Sequence, residues 1–262
     1  MTKPVRLDLE LVRRGLVRSR AEATRAIQTG KVAVRGMPAT RAATLVGPDV
    51  PIALIAPSSP FVSRGGEKLD YALSRLRIEV AGRRWLDVGA STGGFTDRLL
   101  KGGAERVAAL DVGYGQLDWR LRTDDRVTVI ERTNARFLTP GDLPWIPDGV
   151  TADVSFISLT LVLPAVAAVA APDGDFLLLV KPQFELDKAD VPSGGVVRDP
   201  GLWTRAIERV VRAAVSLELG LVDATVAEPP GPAGNREFFV HLRRDVPGDT
   251  EAVDRAIRDV TS

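Results

Sequence analysis

The stretch Asp87-Val-Gly-Ala-Ser-Thr-Gly-Gly-Phe-Thr96 decides the fold. It continues an apolar run that begins at Trp85, and it predicts a strand, a glycine-rich turn and the start of a helix. Glycines in such a turn let a ligand approach the backbone closely. The next apolar run ends in Asp111, at the separation that ribose-binding carboxylates take from a glycine turn. The pattern therefore predicts a binding turn for a nucleotide-like cofactor.

The residue types in the turn indicate which cofactor it binds. Ser91 stands where the dinucleotide pattern G-x-G-x-x-G has the second glycine, which lets a pyrophosphate press against the chain. The sequence therefore favours S-adenosylmethionine, which has no phosphate, over a nicotinamide dinucleotide. Ser91 and Thr92 are predicted either to cap the following helix or to bind the methionine portion. The predicted cofactor contacts are Gly89, Ala90, Ser91, Thr92, Gly93, Gly94, Asp111 and, after the third strand, Asn134.

Strand and helix patterns alternate from residue 85 onward. The predicted strands cover residues 85–88, 106–112, 127–131, 150–156, 176–181, 221–227 and 237–242, and the predicted helices cover 92–101, 115–121, 159–170, 203–219 and 249–260. Such alternation predicts an α/β fold with a doubly wound, mainly parallel sheet that binds ligands at the carboxyl ends of its strands. Residues 182–197 lack apolar periodicity, and we interpret them either as a mobile lid or as a plain surface loop.

The first 60 residues differ from the rest in charge. They hold ten basic and four acidic residues, a net charge of +6, whereas the remaining 25 basic and 30 acidic residues leave −5. Their patterns predict two helices, the second starting at a capping box formed by Ser19 and Glu22, and a small sheet. The segment Ala56-Pro-Ser-Ser-Pro60 is typical of a linker. We predict a small α+β domain at 1–58 and a large domain at 59–262, with a linker region at 55–64.

Composition excludes several functions. Cysteine is absent and His241 is the single histidine, which argues against a bound metal and against thiolate or Ser–His chemistry. Residues 154–172 form the longest uncharged span, but polar residues and a proline interrupt it, and a membrane helix needs roughly 20 mostly apolar residues. No pattern of a signal peptide begins the chain. We therefore expect a soluble, cytoplasmic protein that does not act on membranes.

Three charged residues lie at predicted strand ends. Asp153 comes late in one apolar strand, Lys181 closes a second and Glu237 opens a third. Burying charge beside apolar runs is costly unless the charges pair or act chemically. A single lysine at a strand end is usually a solvated rim residue, whereas three charges beside a cofactor turn indicate a site. Lys68, taken alone, is predicted to be a lysine on a helix surface.

Five motifs in this order resemble the TlyA family of ribosomal RNA 2′-O-methyltransferases, historically also called hemolysins. They are Ser63-Arg-Gly-Gly-x-Lys-Leu69, the turn from Asp87, Asp153-Val-Ser-Phe-Ile-Ser-Leu159, Val180-Lys-Pro-Gln-Phe-Glu185 and Asn235-Arg-Glu-Phe-Phe239. The resemblance spans nearly the whole chain. It implies an FtsJ-like, Rossmann-like methyltransferase domain whose catalytic tetrad is Lys68, Asp153, Lys181 and Glu237. It also implies that the basic front end is an RNA-binding domain of the ribosomal protein S-four type.

The implied activity is S-adenosylmethionine-dependent methylation of a ribose 2′-hydroxyl, with cytidine as the target nucleotide and ribosomal RNA or ribosomal subunits as partners. The family assigns the hydroxyl proton to Lys181. Two versions stay open, because Lys181 can be the neutral base or can stay charged and orient the oxygen while water takes the proton. Arginine forks suit phosphate oxygens, and the candidate RNA contacts are Arg6, Arg18, Arg20 and Lys31. The alternatives are a non-catalytic RNA-binding assembly factor and a membrane-active hemolysin.

Overall fold

The computed structural model describes residues 4–55, 59–231, 233–247 and 250–261. The chain divides into two compact units, Met1–Pro60 and Phe61–Ser262. The predicted linker lies largely outside the described residues, since 56–58 are not among them.

The small unit contains two helices and two small sheets. Helix α1 (Leu7–Arg13) and helix α2 (Arg20–Gln28) pack together, and strands β2 (Val32–Val34), β3 (Met37–Pro38) and β5 (Ile52–Leu54) form an antiparallel sheet in the order β3-β2-β5. Strand β1 (Val5–Arg6) pairs with β4 (Leu45–Val46). The apolar core of the small unit comprises Leu7, Leu11, Val17, Ala23, Ile27, Val32 and Val46.

The capping box at α2 forms only in part. The Ser19 hydroxyl accepts a hydrogen bond from Glu22 N at 3.2 Å, as predicted. The Glu22 carboxylate, however, accepts from the backbone N–H of Arg18 at 2.8 Å, one residue before the N-cap. The helix is therefore capped as the sequence indicates, with the return bond shifted by one residue.

The large unit is built on a seven-stranded sheet in the order β11-β12-β10-β9-β6-β7-β8. Strands β6 to β10 are parallel, and β12 and β11 add an antiparallel hairpin at one edge. The strands are β6 (Arg84–Val88), β7 (Arg106–Leu110), β8 (Val127–Ile130), β9 (Gly149–Ala152), β10 (Asp175–Val180), β11 (Gly220–Val226) and β12 (Phe238–Arg243). The predicted doubly wound, mainly parallel sheet is confirmed.

Helices cover both faces of this sheet. They are α3 (Arg64–Leu76), α4 (Gly94–Lys101), α5 (Trp119–Arg122), α6 (Leu159–Val169), α7 (Pro182–Glu185), α8 (Pro200–Val215) and α9 (Thr250–Thr261). Alternate residues of β6 enter different cores: Leu86 and Val88 pack with α6 and α8, whereas Trp85 packs with α3 and α4. This two-sided burial explains why Trp85, Leu86 and Val88 are all apolar.

Two predicted elements are longer than the observed ones. The strand predicted at 150–156 ends at Ala152, and Phe156, with a left-handed φ of 63°, lies beyond it. The helix predicted from residue 115 begins at Trp119, where Asp118 is the N-cap and its side chain accepts from Arg120 N. The turn helix α7 was not predicted, and for α3 the prediction placed Lys68 on a helix but gave no bounds. Of the predicted terminal helix, Asp249 lies outside the described residues.

Candidate active site at the carboxyl edge of the sheet

The three predicted strand-end charges lie on neighbouring strands. Asp153 follows β9, Lys181 follows β10, and Glu237 directly precedes β12. Strand β10 lies between the other two, and its last residue, Val180, pairs with Phe238. Because β12 runs antiparallel to β10, its first residue lies at the same edge as the carboxyl ends of β9 and β10. This topology brings together residues that are far apart in the chain.

Lys181 contacts two side chains of the loop that follows β9. Its Nζ lies 2.5 Å from Asp153 Oδ1 and donates a hydrogen bond to Ser155 Oγ at 3.0 Å. The Asp153 side chain is 25% exposed and that of Lys181 is 11% exposed. An ammonium group has three N–H donors, and one of those of Lys181 is used on Ser155 Oγ.

Lys68 forms the second pair of the site. Its Nζ donates to Glu237 Oε2 at 2.5 Å, and the two side chains are only 8% and 3% exposed. The prediction of a lysine on a helix surface, made from Lys68 alone, is therefore wrong. Lys68 lies on the face of α3 that also buries Leu69 and Ala72, so the helix directs its amine inward. The buried charge is compensated by its partner Glu237, directly before β12.

Gly89 and Gly93 of the turn after β6 have structural reasons to be glycine. Their φ angles are +82° and +95°, a region that side chains rarely adopt. A Cβ on Gly89 would lie 2.5 Å from the carbonyl oxygen of Asp153, and one on Gly93 would lie 2.8 Å from Leu117 Cδ1. The glycine turn is thus packed directly against the loop that carries Asp153. Cofactor contact through these glycines stays a prediction.

The remaining residues of the turn show how it is held. Gly94 and Ala90 are buried, whereas Ser91 is exposed. Gly93, in its left-handed conformation, is the N-cap of α4, and no side chain caps it. The predicted capping by Ser91 or Thr92 is therefore wrong, because the cap position falls one residue later. Their alternative role toward the methionine portion stays a prediction.

Asp111 ties the glycine turn to the loop after β7. Its Oδ2 accepts from Ser91 N at 2.8 Å and its Oδ1 from Gly113 N at 2.6 Å. A carboxylate oxygen has two lone pairs, so both oxygens keep capacity for ribose hydroxyls. A small cavity beside it is lined by Ala90, Ser91, Ala109, Asp111, Gly113, Gln116, Leu117, Val129 and Glu131. This donor and acceptor set fits the ribose of S-adenosylmethionine.

Asn134 is exposed at the start of a single 3₁₀ turn, Ala135–Phe137. Its side-chain oxygen accepts from Arg136 N at 3.1 Å. The structure therefore gives it a local capping role, and its predicted contact with the adenine stays a prediction.

Asp87 is a buried acid beneath the site that the sequence analysis quoted but did not use. Thr96 Oγ1 donates to its Oδ2 at 2.6 Å and Thr151 Oγ1 to its Oδ1 at 3.2 Å. Burial raises the pKa of Asp87 to about 7, helped by the charge of Asp153 and opposed by the hydrogen bond from Thr96. The carboxyl group thus connects β6, β9 and α4 directly below the glycine turn.

Glu185 links the two loops that carry Asp153 and Lys181. Its carboxylate accepts from the hydroxyl of Ser158 and, at 2.8 Å, from the backbone N–H of Leu159, the first residue of α6. Burial raises the pKa of Glu185. The rings of Phe156 and Phe184, one on each loop, lie 5.2 Å apart. The sequence pattern gave no sign of the contacts of Glu185, beyond placing this residue four positions after Lys181.

The segment 182–197, interpreted from sequence as a lid or a plain loop, is held at both ends. Glu185 fixes its beginning. Near its end, Asn235 Oδ1 accepts from Val197 N at 2.9 Å and Asn235 Nδ2 donates to Gly195 O at 2.9 Å. Asn235 is buried two residues before Glu237. Between these attachments, Asp187 and Asp190 form ion pairs with Arg209 and Arg205 of α8, at 3.2 Å and 2.9 Å.

The predicted RNA contacts lie in the small unit. Arg6 and Arg20 both bind the buried carboxylate of Asp8, at 3.0 Å and 2.8 Å. Arg18 is exposed at the start of α2, and Lys31 is half-buried before β2. The sequence analysis identified the arginines but not the acid that holds two of them.

These features define a methyltransferase: a mainly parallel seven-stranded sheet, a glycine turn, an acidic residue closing the next strand, and two lysine–carboxylate pairs at the same edge. The FtsJ-like methyltransferase family matches residues 61–244, and the S4 domain family matches residues 5–52. The chain belongs to the TlyA family of methyltransferases.

The relatives are similar over their full lengths. The 16S/23S rRNA (cytidine-2′-O)-methyltransferase TlyA of Mycobacterium tuberculosis is 49% identical over 99% of both chains. Hemolysin A of Brachyspira hyodysenteriae is 37% identical over 91% of this chain and 99% of its own. A solved structure of a hemolysin-named protein from Streptococcus thermophilus superposes with a TM-score of 0.76 at 34% identity, covering 99% of this chain and 96% of the other.

The segment that the sequence analysis considered for a membrane-active protein is part of the core. Residues 159–169 form α6, whose Leu159, Val162, Leu163 and Val166 pack on the sheet. Within the described ranges, no helix has both the length and the apolar character that crossing a membrane requires.

Proposed function

We propose that the protein transfers a methyl group from S-adenosylmethionine to the ribose 2′-hydroxyl of a cytidine in ribosomal RNA. One observation carries the proposal: Lys181 Nζ lies 2.5 Å from Asp153 Oδ1, on the loop that packs against the glycine turn. The relative from M. tuberculosis, whose name gives this activity, supports the target class. We assign RNA binding to residues 1–58, catalysis to residues 59–262, and a cytoplasmic location where ribosomal RNA is found.

Each group of site residues has its own role in the proposed methyl transfer. S-adenosylmethionine, when bound, supplies a sulfonium methyl group that an oxygen nucleophile attacks in line. The backbone of residues 89–94 and the carboxylate of Asp111 would hold the cofactor, and Asn134 would contact its adenine. Lys181 directs an N–H toward the ribose oxygen, while Asp153 and Ser155 orient the amine. Lys68 and Glu237 hold the neighbouring strand end in place.

The fate of the hydroxyl proton follows from the charge of Lys181. The amine lies against Asp153. If Lys181 stays charged, it steers the oxygen and water removes the proton. If RNA binding removes water from the pair, Lys181 becomes the base. A pH–rate profile under single-turnover conditions distinguishes the two, because only a lysine base adds an ionisation to the acidic limb.

Mass spectrometry of nucleosides tests the proposed reaction. Ribosomal RNA from each subunit is incubated with the protein and isotopically labelled S-adenosylmethionine, then digested to nucleosides. We expect labelled 2′-O-methylcytidine with the native protein and with Arg75→Ala, a control that removes an exposed basic residue of α3. Lys181→Ala should give none. A label on a base, or an equal yield from Lys181→Ala, would overturn the proposal.

A further inference from the structure

Asp8 is a fully ionised acid buried within a basic surface of the small unit. Its side chain is 1% exposed. Oδ1 accepts from Arg6 Nε and from Leu9 N, each at 3.0 Å, and Oδ2 accepts from Arg6 Nη2 at 3.0 Å and from Arg20 Nε at 2.8 Å. The hydrogen bonds from Arg6 and Arg20, against the cost of burial, hold the pKa of this carboxyl well below its usual range.

The two arginines keep most of their donors for other acceptors. A guanidinium has five N–H groups. Arg6 donates two of them to Asp8 and has three left, and Arg20 donates one and has four left. The side chains are 41% and 58% exposed. One carboxylate between two guanidiniums leaves a net charge of +1. The group has the charge and the donors that an RNA phosphodiester requires.

We propose that Asp8 is a positioning residue that fixes Arg6 and Arg20 as a preformed site for an RNA phosphodiester. The inference rests on the proposed RNA-binding function of this unit. A free arginine loses rotamer entropy when it binds a phosphate, whereas an arginine already held by a buried carboxylate loses less. The acid therefore favours binding through geometry although its own charge repels the ligand.

A neighbouring cluster shows the contrasting arrangement. Glu10 is also buried and binds Arg13 and Arg14, at 2.6 Å and 2.7 Å. The Nη groups of Arg14 donate to Val50 O and Pro48 O, both at 2.8 Å. That arginine attaches α1 to the turn before β5 and is only 22% exposed. In the Glu10 cluster Arg14 thus stabilises the unit and Arg13, 60% exposed, keeps donors, whereas in the Arg6–Asp8–Arg20 group both arginines keep donors for one ligand.

Binding of the full chain to a fluorescently labelled ribosomal RNA transcript, titrated with KCl, tests the inference. Simple electrostatics predicts that Asp8→Asn, which removes a negative charge, binds RNA more tightly. Positioning predicts about fivefold weaker binding, ~1 kcal/mol. The matched control is Asp49→Asn, which makes the same charge change at an exposed residue of the same unit and should bind at least as well as the native chain. Tighter or unchanged binding by Asp8→Asn would overturn the inference.

Substitution of the arginines separates the inference from the function on which it rests. Arg6→Ala and Arg20→Ala should each weaken binding and make the slope of log K against log salt shallower by about one. If neither does, the proposed RNA role of the small unit fails. Arg20→Lys keeps the charge but removes the Nε donor to Asp8, so it should weaken binding at an unchanged salt slope. This variant remains informative if melting curves show that Asp8→Asn unfolds the unit, and undiminished binding by it would contradict positioning.

Discussion

Breaking the Lys68–Glu237 pair from one side should destabilise the large unit strongly. Lys68→Met removes the ammonium and leaves Glu237, 3% exposed, as a buried carboxylate without its 2.5 Å partner. Removal of one partner of such a pair costs about 3–5 kcal/mol. For a unit of this size, that corresponds to a fall of roughly 6–20 °C in melting temperature, since each kcal/mol shifts it by about 2–4 °C.

The double variant Lys68→Met/Glu237→Leu should recover most of this loss. Apolar side chains of similar volume remove both charges, and such replacements of buried pairs are often neutral or stabilising, by about 1–4 kcal/mol. Urea unfolding followed by circular dichroism measures both effects. The control is Arg212→Met, which breaks an exposed pair with Glu208 on α8 and should change stability by at most about 0.5 kcal/mol.

Methyl transfer by the same variants decides why the pair is retained. If it serves catalysis, the double variant should be stable and inactive. A single variant that loses less than about 1 kcal/mol would refute the reasoning, because it would mean that the pair is solvated. A stable double variant with native activity would confine the pair to a structural role and remove Lys68 and Glu237 from the proposed tetrad.

Three further perturbations test the surrounding structure. The pKa of Asp87 is raised to about 7 in the folded state from an ordinary 3.8. The free energy of unfolding, measured by urea titration, should therefore fall by up to about 4 kcal/mol as pH rises from 4 to 7. In Asp87→Asn this dependence of the unfolding free energy on pH should be absent. Gly89→Ala places a Cβ 2.5 Å from Asp153 O at a φ of +82° and should cost about 2 kcal/mol or more, whereas Gly194→Ala, with open space around it, should be nearly neutral in melting curves. Glu185→Ala should lower kcat by about 10²-fold with little change in the KM for S-adenosylmethionine, and Glu185→Gln should restore kcat. Equal effects on kcat and on KM would instead indicate a general loss of structure.

Sequence reasoning predicted what depends on local pattern. The apolar strands, the glycine turn after β6 and the carboxylate of Asp111 all follow from short-range signals. Strand-end charges pointed to Asp153, Lys181 and Glu237, because parallel strands end at one edge of a sheet. Which lysine pairs with which carboxylate did not follow, since the strand order that sets Lys181 beside Asp153 is a property of the whole sheet.

Buried polar side chains were the main failure of prediction. Lys68 lies on a helix whose pattern alone gives no sign that its amine meets a strand 169 residues later in the chain. Asp8 and Glu185 were missed for the same reason, because a charged residue on a short helix is usually solvated. Resemblance to the family identified Lys68 through its motif, but it gave no information on burial. Contacts of this kind depend on packing between elements and become visible only in three dimensions.

The two lysine–carboxylate pairs differ in exposure, and this difference implies different roles in the proposed reaction. Glu237 is 3% exposed, whereas Asp153 is 25% exposed. A nearly dry pair has no room for a substrate group between its partners, whereas a partly exposed pair can exchange a water or a hydroxyl group at moderate cost. In the proposed reaction, Lys181 and Asp153 are therefore the pair that meets the ribose hydroxyl, and Lys68 and Glu237 are the pair that holds the strand ends.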